Sequence, residues 1–144
     1  MCSRGEIENL LYEYQERIDD GDLHGVAAMF AHAVIRAEGM DVAWVGEDQI
    51  YAMYAGFVRM YHGSPRTTHT NPNAIIHIDE DAGTATCRSK YVVFQETPDL
   101  PLQPIITGGY HDTFERVDGA WRFTERVMIT RSLGNMIHHQ IGLG

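Results

Sequence analysis

The chain has 144 residues and a formal net charge of −9, enough for one domain with a substantial core. Its eleven Lys and Arg are scattered rather than clustered, which argues against nucleic acid or an anionic membrane surface as the main partner. No signal peptide or membrane-spanning apolar run is apparent, and two cysteines without metal spacing, Cys2 and Cys87, make the cytoplasm the expected location.

Ser3-Arg4-Gly5-Glu6 has the spacing of a capping box. Behind it Ile7, Leu10, Leu11, Tyr14 and Ile18 recur at helical spacing, so a first helix is expected from about Arg4 to Asp20, stopping at Gly21. Asp22 caps a shorter second helix with Leu23, Val26, Ala27 and Phe30 on its buried side. Short strands are expected at 33–38 and 42–45. A third helix follows at Glu47–Tyr61, with Ile50, Met53, Tyr54, Phe57 and Tyr61 inward, ended by Gly63-Ser64-Pro65.

From Arg66 the hydrophobic period changes from 3.6 to 2. Strands are expected at Thr67–Ile78, Thr84–Thr97, Ile105–Val117 and Ala120–Arg131, with Pro98–Pro104 as an exposed loop. Asp118-Gly119 between the last two is a strong hairpin signal, because a type I′ turn needs positive φ at both central residues. On the last strand Trp121, Phe123, Val127 and Ile129 share one parity, and Arg122, Thr124, Arg126 and Thr130 the other. Helices first and a strand meander after them give an α+β layout, with the helices on a sheet curled into a cone around a pocket.

Three stretches, ENLLYEYQERIDDGDLHGVAAMF, RTTHTNPN and GGYHDTFERVDGAWRFTER, resemble in order the SnoaL-like branch of the nuclear transport factor 2-like superfamily. Scytalone dehydratase, hexachlorocyclohexane dehydrochlorinase and bacterial bile-acid dehydratase are the members most alike. The resemblance implies a single domain over 1–144: a cone-shaped α+β barrel with three N-terminal helices packed on a curved, mixed but mostly antiparallel sheet. It further implies a lyase or isomerase that uses no cofactor and no metal and acts on a hydrophobic cyclic molecule. The family also contains cyclases, ligand binders and inactive members, so a non-catalytic binding or assembly module is the alternative. Carried across, the acid–base pair falls on Asp19 and His69, a tyrosine on Tyr14 and an arginine on Arg126. Where scytalone dehydratase has a second histidine this chain offers Val93 or Phe94, and its serine and asparagine fall on Gly108 and Tyr110. Scytalone itself is therefore not the expected substrate.

An Asp–His pair is chemically sensible: a neutral imidazole can take a proton near pH 7, and a buried carboxylate fixes its tautomer. A carboxylate is poorly placed at a helix C-terminus and calls for a compensating group, although Asp19, Asp20 and Asp22 also read as capping and turn residues around Gly21. His69 sits in the polar run Thr67–Asn71, as on a wet pocket wall, and His111 is the runner-up. Arg126 is ambiguous: simple alternation turns it away from Trp121 and Phe123, whereas the resemblance puts it in the pocket; both hold if the cavity wall is the polar face and the apolar face meets another subunit, or if a β-bulge changes the parity. In the pocket it could hold an anionic leaving group or an enolate oxygen; outside it, it would pair with an acid across the sheet. Trp44, Met53, Tyr54, Phe57, Met60, Phe94 and Tyr110 are the expected lining. His138-His139 shows no metal spacing. Bulky residues on both faces of the last hairpin, of which helices can cover only one, lead to an expected homodimer or assembly of dimers.

Overall fold

The computed structural model describes residues 2–143. Its order is α1 (Ser3–Asp19), α2 (Leu23–Met29), β1 (Val34–Ala37), β2 (Ala43–Val45), α3 (Gly46–Phe57), β3 (Thr67–Thr70), β4 (Ala74–Asp79), β5 (Thr84–Thr97), β6 (Leu100–Val117) and β7 (Ala120–Leu133). The helices pack on one curved sheet ordered β2–β1–β7–β6–β5–β3, with β4 also paired to β5. All pairings are antiparallel except β1 with β7, so the sheet is mixed. It stays open at β2 and β3 rather than closing into a barrel.

α1 buries Ile7, Leu11, Tyr14 and Ile18, the stripe its spacing dictates. Its cap differs from the expected one: the Cys2 side chain, not Ser3, accepts from the Gly5 amide. Gly21 closes the helix at φ +77°, where a Cβ would lie 2.0 Å from the Gly63 carbonyl oxygen, so this position fixes the turn against residue 63. α3 ends at Phe57, four residues early, because Val58 turns extended and bridges Gln140. The expected strand 67–78 is two strands. Pro72, with no N–H to donate, interrupts the ladder, and the pieces pair with different parts of β5. The expected loop 98–104 is mostly strand, because Leu100 is buried and pairs with Thr97. Asp118 and Gly119 both have positive φ, as the hairpin requires.

The parity of β7 is the most consequential difference. Thr113 pairs with Glu125 and Phe114 with Phe123, leaving Thr124 as an extra residue. This bulge lets Trp121 and Phe123 face the helices and then brings Arg126 to the same side. Val127 and Ile129 consequently do not share the inner face with Trp121. No helix among the described residues is long and apolar enough to cross a membrane.

Candidate functional site

Asp19 is the last residue of α1, and His69 lies on β3 beside that helix end. The Asp19 carboxylate stands 2.6 Å (Oδ1) from His69 Nδ1. It also accepts the His69 backbone amide at 2.7 Å and the Thr67 hydroxyl at 2.8 Å. Three donors thus answer the negative charge at the helix end, where the backbone dipole supplies none. With Nδ1–H given to Asp19, the neutral imidazole keeps its lone pair on Nε2, the tautomer a general base needs. The His69 side chain is 8% exposed and that of Asp19 20%, so the pair is sheltered but not sealed. Asp20 and Asp22 are exposed, and Asp22 caps α2 through the Gly25 amide.

Tyr14 and His69 stand edge to face, centroids 6.3 Å apart, and the Tyr14 hydroxyl meets that of Tyr54 at 2.8 Å. Burial raises the Tyr54 and Tyr110 phenols well above their ordinary values, so both stay protonated. Arg126 is fully buried and forks onto Asp112, Nε to Oδ1 at 2.8 Å and Nη2 to Oδ2 at 3.0 Å. Its guanidinium lies 3.7 Å from the Tyr110 ring centre and 4.5 Å from that of Tyr14. Burial alone would disfavour its charge; the Asp112 carboxylate more than offsets this and holds Arg126 above its ordinary pKa. Burial likewise pushes the Asp112 carboxyl up while Arg126 pulls it back. The expected surface acid is replaced by this buried one, and only Nη1 remains without a partner.

The remaining expected lining separates. Tyr54 and Tyr110 are in the core, both against Tyr14; Trp44, Met53 and Met60 pack at the core's margin. Phe57, at the end of α3, is half out in solvent with its ring edge against His139. Phe94 does not line the interior: flanked by the buried Val93 and Gln95, it points outward beside Leu102. His111 is also on the outer face and exposed, away from Asp19. Two surface grooves lie on the outer side and edge of the sheet, and Asp19, His69, Tyr14 and Tyr54 line neither. Among the described residues no group of three His, Cys, Asp or Glu could hold a metal ion.

Four participants were not anticipated: Thr67, Asp112, Gln95 and His139. Asp112 had a legible signal, since it shares the inward parity of Tyr110 and Phe114. Gln95 is buried and ties the chain end down, donating to the carbonyls of Pro65 at 3.0 Å and His138 at 3.1 Å. His139 is thereby folded in at 6% exposure with Nδ1 unpartnered. Burial, helped by the nearby His69 imidazole, lowers its pKa from 6.5 to about 4. Between those values the unfolded chain binds a proton there and the native one does not. Acidification over that window should therefore destabilise the fold, on the order of 3 kcal/mol in all. Urea titrations across the same pH range should show a flatter slope for His139→Gln than for the wild type; equal slopes would contradict a buried neutral His139.

The sequence pattern of the family described as SnoaL-like domain matches residues 1–127. No curated protein sequence matches the chain. Among solved structures, a protein from Novosphingobium aromaticivorans provisionally described as a scytalone dehydratase is 25% identical, with a TM-score of 0.71 over 90% of this chain and 84% of its own. A second protein from that organism, described as NTF2-like with a cystatin-like fold, is 22% identical, with a TM-score of 0.71 over 87% and 79%. A third, provisionally described as the beta subunit of an aromatic-ring-hydroxylating dioxygenase, is 19% identical, with a TM-score of 0.69 over 90% and 89%.

Proposed function

Since the chain belongs to the SnoaL-like domain family, we propose that it is a cofactor-independent lyase or isomerase acting on a hydrophobic cyclic molecule. The observation that carries this reading is the 2.6 Å Asp19–His69 contact, with the carboxylate further held by Thr67 and the His69 amide. In the proposed reaction His69 Nε2 removes a proton from carbon next to a carbonyl. Asp19 stabilises the imidazolium so formed. The Tyr14 hydroxyl, positioned by Tyr54, donates to the developing enolate oxygen, and Arg126 adds its field from behind the ring, with Nη1 as its free donor. The same proton then goes to a departing hydroxyl in a dehydration, or to another carbon in an isomerisation. Trp44, Met53 and Phe57 supply the apolar margin such a molecule would enter by.

A panel of cyclic ketones and β-hydroxy ketones on steroid, polyketide and terpenoid skeletons in heavy water tests this. Wild-type protein should exchange or eliminate at the acidic carbon of a compound it binds, and His69→Ala should bind that compound without exchanging it. Binding by the wild type with no exchange or turnover would favour the alternative, a non-catalytic ligand-binding or assembly module. The close packing of Tyr54 and Tyr110 against Tyr14 is the observation on that side.

We also expect a homodimer. Leu102 and Leu133 are 67% and 68% exposed on the long strands of the hairpin layer, large apolar surfaces for a monomer to leave in water. Sedimentation at micromolar concentration should give a dimer, and a species of only 16.3 kDa would refute it.

A further inference from the structure

Seven of the eleven Lys and Arg side chains are ion-paired to carboxylates. Arg59 instead donates to the carbonyls of Gln140 and Leu143. The three that remain, Arg88, Lys90 and Arg131, have no carboxylate partner among the described residues, and all three line one groove of about 370 Å³. His111 joins them, and no Asp or Glu lines the groove although the chain carries a net charge of −9. Chance scatter of cations over an acidic surface would pair them as it pairs the other seven.

The strand register explains the shape. Lys90 pairs with Gly109, and Gly109 with Ile129, so one cross-strand row on the outer face has a cation, a gap and an isoleucine. In the adjoining row Ile75 pairs with Arg88, and Arg88 with His111. The absence of a side chain at Gly109 leaves a notch with apolar walls at Ile75 and Ile129 and a positive rim.

We propose that this notch binds a small organic anion: a carboxylate or phosphate head held by Arg88, Lys90 and Arg131, with a flat apolar body over Gly109 between the two isoleucines. Guanidinium forks match the planar pair of oxygens on such a head, and Lys90 adds a point charge. The volume suits a ligand of a few rings at most rather than a folded partner. The notch is on the opposite face of the sheet from His69, so the assignment is independent of the proposed reaction.

Phenyl phosphate and inorganic phosphate, titrated into the full chain by calorimetry, are the probes. Phenyl phosphate should bind one per chain and about tenfold tighter than inorganic phosphate, because its ring is removed from water. Half-molar salt should weaken both. Arg88→Gln, Lys90→Gln and Arg131→Gln should each cost phenyl phosphate about three- to tenfold. Ile129→Ala should erode its advantage over phosphate. His69→Ala should leave binding unchanged, which separates this site from the dyad. The proposal is overturned by any of three results: no saturable binding in the millimolar range, binding that survives the triple glutamine variant, or binding lost with His69→Ala. It is equally overturned if the triple variant changes the sedimenting species while phenyl phosphate fails to bind, because the notch would then be covered by a second copy of the chain.

Discussion

Replacing His69 with alanine is expected to lower turnover of any substrate by a factor on the order of 10²–10⁴ while ligand binding persists. The imidazole is the base in the proposed reaction, and its loss removes the proton acceptor without touching the aromatic wall. Asp19→Asn should be gentler on shape, because its one oxygen can still accept the His69 backbone amide where Oδ2 stands, while the Thr67 hydroxyl can turn to accept from the new NH2. It presents an NH2 as easily as an oxygen to Nδ1, however, and so no longer forces the proton onto that nitrogen. It should therefore lower kcat far more than it raises KM. Circular dichroism should show both variants folded, since neither side chain belongs to the stripe Ile7, Leu11, Tyr14 and Ile18 that holds α1 on the sheet. If His69→Ala keeps wild-type turnover, the dyad is structural.

The largest stability effect should come from Asp112→Asn. It would leave the Arg126 charge buried without its carboxylate, at a cost of about 3–5 kcal/mol in urea unfolding. Arg126→Met should cost a similar amount by stranding Asp112. The double change Asp112→Leu with Arg126→Met removes both charges and should recover much of the loss, because two desolvation penalties disappear with the pair. Additive losses in the double variant would show instead that the pair is worth more than its burial costs. The aromatic rings around Arg126 make that outcome the informative one.

Most of the fold was legible because period and punctuation agreed along the chain. Helical spacing placed α1 and α2 within a residue or two, and Asp118-Gly119 fixed the final hairpin. Misreadings fell where one residue overrode a pattern. Pro72 split a strand that alternates convincingly on either side of it, and Val58 left α3 early to pair with a residue 82 positions away, which no local rule reveals. The same limit governs the site. Asp19 and His69 could be paired through family likeness, and each shows its need for a partner in its own setting. Asp112 was readable as a charge on an apolar parity, but its partner was hidden by a bulge. His139 is functional in appearance only because Gln95 and Val58 draw the end of the chain inward.

The bulge at Thr124 gives β7 one point of tolerance to length. Insertions and deletions are ordinarily tolerated in loops and excluded from strands, because a shift of one residue turns every later side chain over. Here the strand already carries a supernumerary residue. Removing Thr124 would leave Phe123, Glu125 and Arg126 in regular alternation, with Glu125 still opposite Thr113 and Arg126 still opposite Asp112. The ladder would close while the central ion pair stayed inside. Among relatives of this chain, one or two residues between Phe123 and Arg126 are therefore equally compatible with an inward arginine.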